Sequence, residues 1–448
     1  DFCLSRGLGD VYKRQFINRV ILLTMKKMQL KSMLAAVAAV VAMGVAGCSS
    51  ESENVPEVEP DGTKGGKTET PAELNLTASE MKAAGQTAGF QTGYLAEALR
   101  VSQADRVVVA PMSAQMQLSI IANVCGPELR AQIVSALGTD DLEAVNSLAY
   151  KMANVLPQLD SQVDFTEACS VWATDRHALN GAVASRLGEV FGIAPEVCDF
   201  TKADACALKI NGWVNDKTQG MISSIVTPAD FNSELLAVLA NAEYFKGAWT
   251  RPFKAEDTKE ATFRGTNGTQ TTSMMNAKLG STLAYAGDDF SAVILPMGTG
   301  SNFTVTLAMP AEGTSLEALA AKDVKSMRQK MDLCTLKLGM PKFKAEGTRM
   351  DVNRLVTPLG VTSLRTPETS ELFVDALPAI YDVFQSAVVS FDEQGAEAAS
   401  VTWSGMATST GDETTPKEVE ITFDRPFLFY ITEARTGTIL FAGAVRNL

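Results

Sequence analysis

The sequence predicts an α+β fold built as one large domain. Three observations carry this. Helical periodicity dominates the first third of the chain, strand alternation takes over beyond Val163, and after residue 74 neither a Pro/Gly/Ser-rich linker nor an internal repeat interrupts the pattern. A regular βαβ winding would interleave the two periodicities, which this chain does not do. With 448 residues the chain is long enough for several domains, but the unbroken stretch 74–448 reads as one, with room for a substantial core.

Leu76 to Leu99 reads as the first helix, and Arg106 to Ala110 as a short apolar strand. Pro111 to Val124 is a mostly apolar, buried helix that Gly126 ends. Pro127 then takes the first position of another, with Leu129, Ile133, Val134 and Leu137 on one face and Gly138 just past its end. Asp140 opens a helix whose apolar side carries Leu142, Val145, Leu148, Met152 and Val155. Val163, Phe165, Cys169 and Val171 share one face of a strand. Alternation returns at Thr304 to Ala308 and at Val419, Ile421 and Phe423, and Thr436–Gly437 turns between the last two strands.

The stretch before residue 74 has its own logic. Residues 1–24 have no structural pattern and are expected to be a non-native leader or read-through. Residues 25–47 read as an export signal, with Lys26, Lys27 and Lys31 ahead of the apolar run Met33 to Ala46. That run is too short for a stable membrane span. It ends in Val45, Ala46, Gly47 and Cys48, which resembles a lipobox. Cys48 is therefore the expected lipidated N-terminus of an outer-membrane lipoprotein, on the periplasmic face or the cell surface. Residues 48–73 are acidic, poor in apolar residues and expected to be a disordered tether.

Charge and side-chain inventory exclude several functions. The net charge is −13, and the segments before Cys48 are net basic, so the remainder is more acidic still. Such a surface repels nucleic acid and anionic lipid, and Asp141 to Leu156 offers only Lys151 to a polyanion. The one histidine, His177, sits in polar turn chemistry and reads as an exposed loop residue. A His-dependent hydrolase is thereby disfavoured, and no Cys/His cluster has metal-ligand spacing. No phosphate-binding or dinucleotide fingerprint occurs. Neither cofactor nor metal is expected. Asp288–Asp289 and Asp392–Glu393 read as solvated turns, and Trp213 and Trp249 as core or sheet-end packing. Cys125, Cys169, Cys198, Cys206 and Cys334 read as buried thiols, with a Cys198–Cys206 bridge as the alternative.

The most informative stretch runs from Glu393 to Gly411. Ala398 to Gly411 holds fourteen uncharged residues, and no proline falls between Pro378 and Pro416. Laid out as a strand, one face reads Ala396, Ala398, Ser400, Thr402, Ser404, Met406 and Thr408, all small or uncharged. Glu397 opens the opposite face. A segment written as a loop could thus be buried as a central strand, which is what a loop that inserts into a sheet requires.

That stretch resembles the hinge of serpins, and other blocks agree. Asn241, Glu243, Tyr244, Phe245, Lys246, Gly247 and Trp249 resemble the family's N-A-x-Y-F-K-G-x-W block. Ile210, Asn211, Trp213, Val214, Thr218, Gly220 and Ile222 resemble its I-N-x-W-V helix, and Phe423 to Phe429 with Ile439 to Gly443 resemble its C-terminal signature. The resemblance spans roughly Leu74 to Leu448. It implies a helix-rich N-terminal part packed on a large mixed central β-sheet with smaller sheets, and an exposed reactive-centre loop near the C-terminus. It implies a monomeric suicide inhibitor that forms a covalent acyl complex with serine proteases, elastase-like or subtilisin-like, and also with papain-like cysteine proteases. The alternative is a non-inhibitory carrier, chaperone or scaffold of the same fold.

By the same resemblance the hinge comprises Glu393, Gly395, Ala396, Glu397, Ala398, Ala399 and Ser400. The reactive bond falls at Ser409–Thr410, within about two residues. The residues that govern sheet opening are Ser113, Asn241, Trp249 and Gln385. Two departures are visible, since the family usually has histidine where Gln385 stands and serine where Ala110 stands. Altered opening energetics, with the fold retained, are the expected result.

Overall fold

A computed structural model describes residues 72–396, apart from 233–234, 301, 347–348, 366–367, 370, 376–377 and 380, together with residues 417–448. All of them lie in one compact unit, Glu69–Leu448. Helix α1 (Ala78–Val101) starts two residues later than its apolar pattern, because Thr77 caps it. The Thr77 hydroxyl accepts from the Glu80 amide, and the Glu80 carboxylate accepts from the Thr77 amide at 2.6 Å. Strand β1 (Arg106–Val109) feeds α2 (Pro111–Ala122), which is buried along its whole length. Proline at its first turn costs no hydrogen bond. Helices α3 (Pro127–Ala136) and α4 (Leu142–Val155) follow, the latter capped by Asp141.

The central sheet is mixed and has seven strands. Its spatial order runs β10 (Phe343–Glu346), β14 (Tyr381–Phe391), β4 (Ala237–Ala248), β2 (Val163–Thr174), β3 (Glu196–Cys198). Short strands β11 (Met350–Asp351) and β15 (Gly395–Ala396) pair with β14 and β4 respectively. Period-two alternation sends β4 residues both ways. Leu239 and Phe245 face the main core, where α1 and α2 pack. Val238, Ala240 and Ala242 face a second cluster under α6 (Ala203–Lys217), with Phe384 and Val388 of β14. Helix α5 (Gly181–Phe191) packs against α4.

The second large sheet runs β1, β18 (Ile439–Val445), β17 (Phe427–Glu433), β8 (Phe303–Pro310), β7 (Phe290–Met297), β6 (Gly268–Ala286), β9 (Asp332–Pro341), β16 (Glu418–Thr422). Strand β5 (Lys259–Gly265) pairs with β6. Strand β16 runs parallel to β9, from Glu418 opposite Thr335 to Thr422 opposite Gly339. The long β6 carries a bulge: Leu279 pairs with Leu336 and Thr282 with Cys334, leaving Gly280 and Ser281 against Thr335 alone. Two short helices, α7 (Leu316–Ala320) and α8 (Val324–Arg328), lead into β9, and α9 (Val352–Val356) follows β11.

The cysteines do not all stay thiols. Cys198, at the end of β3, and Cys206, in the first turns of α6, form a disulfide with Cα atoms 6.1 Å apart. The intervening chain doubles back and holds the two Cα atoms within bridging range, which the treatment of cysteine as a small hydrophobe does not anticipate. Cys125, Cys169 and Cys334 are buried and unbridged. His177 lies in the turn after β2 but is half-buried, its ring edge-on to Phe373 at 6.0 Å. Asp289 binds Lys322 and Lys330. The Asp392–Glu393 pair is half-buried and bonded, and belongs to the site below.

Candidate functional site

Strands β14 and β4 are neighbours running in parallel, from Tyr381 opposite Ala237 to Val388 opposite Tyr244. Beyond Phe391 the chain turns sharply and comes back as β15, antiparallel to β4, with Gly395 opposite Ala248 and Ala396 opposite Gly247. The other edge of Gly247 is already taken by Val163 of β2. β15 therefore lies on the β14 side, at the mouth of the β14/β4 seam. Its register, continued, brings residue 399 opposite Tyr244, a place now held by Val388. The chain leaving β15 points into an occupied slot.

Each residue of the turn is held. The Asp392 amide donates to the Gly395 carbonyl at 2.9 Å, and Asp392 Oδ1 accepts from the amides of Gln394 and Gly395. Trp249 donates twice, from its amide to the Gln394 carbonyl at 2.9 Å and from Nε1 to the Asp392 carbonyl at 2.8 Å. Its indole stacks on Phe391. Glu393 accepts from Lys342 at 2.6 Å and from Thr258 at 2.8 Å. These bonds hold its carboxyl below the ordinary range although burial opposes them. Gly395 has φ +139°, and a Cβ there would stand 2.1 Å from the Gly247 carbonyl oxygen. Glycine is required at this position for both reasons.

Deeper in the seam, Gln385 and Asn241 sit in register across β14 and β4. The Gln385 side-chain amide clasps Ala110, its Oε1 accepting from the Ala110 N–H at 2.9 Å and its Nε2 donating to the Ala110 carbonyl at 2.8 Å, and the Tyr94 hydroxyl donates to Gln385 Oε1 at 3.4 Å. Glutamine here bonds both backbone groups of Ala110, whose carbonyl also accepts from the Ala114 amide at 3.1 Å. Asn241 donates to Glu167 of β2 at 2.7 Å. Glu167 is in register with Glu243 of β4, and both are buried.

Burial raises both carboxyls above their ordinary range, and repulsion from Glu167 pushes Glu243 further, well above it. No donor among the described residues reaches either Glu243 oxygen, nor the Asn241 carbonyl oxygen. A proton on one of the two raised carboxyls would let it donate to the other and relieve their repulsion. The same acid pair helps raise its neighbours, Tyr94 and Cys169, in which burial is the first cause.

Thus Ser113, Asn241, Gln385 and Trp249 line one seam, with Glu393, Gly395 and Ala396 at its mouth. Cys48, Glu397, Ala398, Ala399, Ser400, Ser409 and Thr410 lie outside the described residues. Sequence reasoning passed over Glu167 and Glu243. The available signal was a glutamate at an inward position of an otherwise apolar strand, in phase with Asn241 and Phe245.

A family profile described as "Serpin (serine protease inhibitor)" matches residues 89–448. The chain belongs to the serpin family. Among relatives of this serpin, "Serine protease inhibitor 42Dd" of Drosophila melanogaster is 30% identical, over 76% of this chain and 90% of its own. "Serpin-Z1A" of Triticum aestivum is 28% identical, over 77% and 91%. Among solved structures, the thermophilic serpin tengpin in its native state superposes with a TM-score of 0.72 at 22% identity, over 84% of this chain and 95% of its own. Human thyroxine-binding globulin in complex with its hormone superposes at 0.71 and 19%, over 83% and 99%. The fold is therefore the serpin fold, in a family with relatives named as protease inhibitors and a structural neighbour named for binding thyroxine.

Proposed function

We propose that this serpin is a suicide inhibitor of serine proteases that works by inserting its loop into the β14/β4 seam. The observation that supports it most is the register of β15, antiparallel to β4 and aimed at the slot Val388 occupies. In the proposed cycle the protease serine attacks the carbonyl of the reactive bond, the downstream amine leaves, and an acyl ester links the enzyme to residue 409. The freed upstream segment then extends β15 down the seam and carries the ester-linked enzyme away before water reaches it. Filling one strand adds about 10 ladder hydrogen bonds at ~1 kcal/mol each, so ~10 kcal/mol drives the step. A charge on the inward face would cost several kcal/mol, and Ala396, Ala398 and Ser400 bring none.

The reactive bond is Ser409–Thr410, within about two residues, at the distance from Gly395 that lets the inserted strand span the sheet. Met406, Ala407 and Thr408 suit shallow apolar pockets of elastase-like or subtilisin-like enzymes, with papain-like cysteine proteases as further targets. The protein works as a monomer on the outer membrane, held by a lipid on Cys48. A carrier role is the second reading, favoured by the likeness to a hormone-bound globulin.

Incubation with elastase-like, subtilisin-like, trypsin-like and papain-like enzymes, read on a denaturing gel, tests the proposal. A band at the summed mass is expected with the first two, and N-terminal sequencing of the released fragment maps the bond. Ala396→Arg should be cleaved without a complex. No complex with any enzyme, or a complex formed by cutting at Lys417, would refute the assignment. Mass spectrometry of membrane-extracted protein tests the anchor, and unchanged membrane partitioning of Cys48→Ala removes it.

A further inference from the structure

A cavity of about 230 Å³ opens between the end of β4 and strands β6 and β7, apart from the seam. Its walls are Trp249, Phe253, Leu283 and Ile294, and Leu333 stands at the mouth. Leu333 is 64% exposed, a large apolar side chain left in water beside an apolar hollow. The bulge of β6 forms the rim. Ser281 there adopts φ +50°, a left-handed conformation that a non-glycine residue holds only under local constraint. The bulge spreads β6 from β9 where the cavity opens.

Two cations line the same cavity. Arg251 donates one guanidinium N–H to the Gly280 carbonyl of the bulge. Arg328, at the end of α8, is exposed, and while its carbonyl accepts from the Met331 amide, its guanidinium has no ion-pair or hydrogen-bond partner among the described residues. On a chain of net charge −13, two arginines at one apolar hollow, with no carboxylate in its lining, form a local exception. An apolar site with a few convergent polar groups is the usual design of a small-molecule pocket.

We propose that this cavity binds an amphipathic monocarboxylate of the medium-chain fatty-acid class, its tail on Trp249, Phe253 and Leu283 and its carboxylate between Arg251 and Arg328. The arginines reject neutral chains, and the apolar wall rejects small hydrophilic anions. One indole then serves two sites, since Trp249 walls the cavity and holds the Asp392 carbonyl at 2.8 Å.

Sodium decanoate, titrated into the full chain, tests this by calorimetry and tryptophan emission. One saturable site is expected, with Arg328→Gln and Arg251→Gln each weakening it about tenfold through loss of a charge-assisted bond. Decanol, of equal chain length without the charge, should lose about as much. Leu283→Trp should fill the hollow and abolish binding while the thermal midpoint stays level. If that variant fails to fold, the two exposed arginines carry the test alone. The absence of saturable heat up to about 1 mM decanoate, or equal affinity in wild type and both arginine variants, would overturn the assignment.

Discussion

Glu243 gives stability a sign with pH. Its carboxyl is raised well above the ordinary value, first by burial and then by Glu167, while the unfolded chain keeps the ordinary one. At this carboxyl the fold therefore binds more protons than the unfolded chain. This contribution is complete below about pH 4.5 and fades as pH rises towards the folded value. Ser113, Asn241, Tyr94 and Cys169 surround the pair, and the last two are themselves raised, so they titrate on the alkaline side. The thermal midpoint should fall between about pH 5 and about pH 8, and Glu243→Gln should flatten the slope. An equal slope in both proteins refutes the linkage.

The same residue bears on insertion. Continued from β15, the register brings Ser400 opposite Glu243 and Thr402 opposite Asn241, a hydroxyl beside each group that now lacks a donor. Ser400→Ala should then reduce the stability gained on cleavage by about 1–2 kcal/mol, measured as the difference in denaturant midpoints between intact and cleaved protein. That Gly395 occupies a position only glycine can hold was legible, because a lone glycine ahead of an uncharged run stands out in sequence. The acid pair was not, since its partners come from strands some seventy residues apart in the chain and register is a tertiary property.

At the level of elements, the start of α1 is fixed by the Thr77–Glu80 box and tied to α4 by Lys151 and Ser147, at 2.7 and 2.6 Å from Glu80. Burial alone would raise the Glu80 carboxyl. The bonds from Lys151, Ser147 and the Thr77 backbone outweigh it and lower the value to about 2. A depressed folded value stabilises above the unfolded one and is lost as pH falls, here between about pH 4.5 and about pH 2. Glu80→Gln should cost about 1–2 kcal/mol at neutral pH and leave a protein less sensitive to acid, by denaturant titration at both pH values. Apolar spacing located α1 to α4 closely because burial and periodicity coincide there. The boundary of α1 shifted because capping, which the sequence reading did not weigh, decides where a helix begins. The Cys198–Cys206 bridge depended on a turn between β3 and α6 that hydrophobic patterning does not encode.

For the whole molecule, loop insertion would make the intact fold something other than its most stable arrangement. Cleavage near Ser409–Thr410 should raise the thermal midpoint by tens of degrees, following a gain of ~10 kcal/mol, whereas an ordinary nicked domain melts lower or unchanged. A cleaved form that melts below the intact protein ends the insertion reading. The α+β class and the serpin architecture were both legible, since motif order and element order agree along hundreds of residues. The occupied seam was not, because the sequence shows that a strand could be buried and not whether its place is already filled.

Strand β16 acts as a clasp on time. The chain between β15 and β16 is fixed at one end to β4 and at the other to β9, where Glu418 also meets Lys278 and Lys337 at 2.8 and 3.3 Å. Under the proposed cycle, β16 while paired would keep the uncut segment from being drawn far into the sheet. Once β16 peels away, that cycle would let the loop insert without any protease, and inhibition would be lost. Its working life is then the waiting time for that peeling, a rate and not an equilibrium. Glu418→Gln releases both lysines, so it should shorten the half-life of complex-forming activity in storage at constant mass, while freshly prepared protein still traps its enzyme.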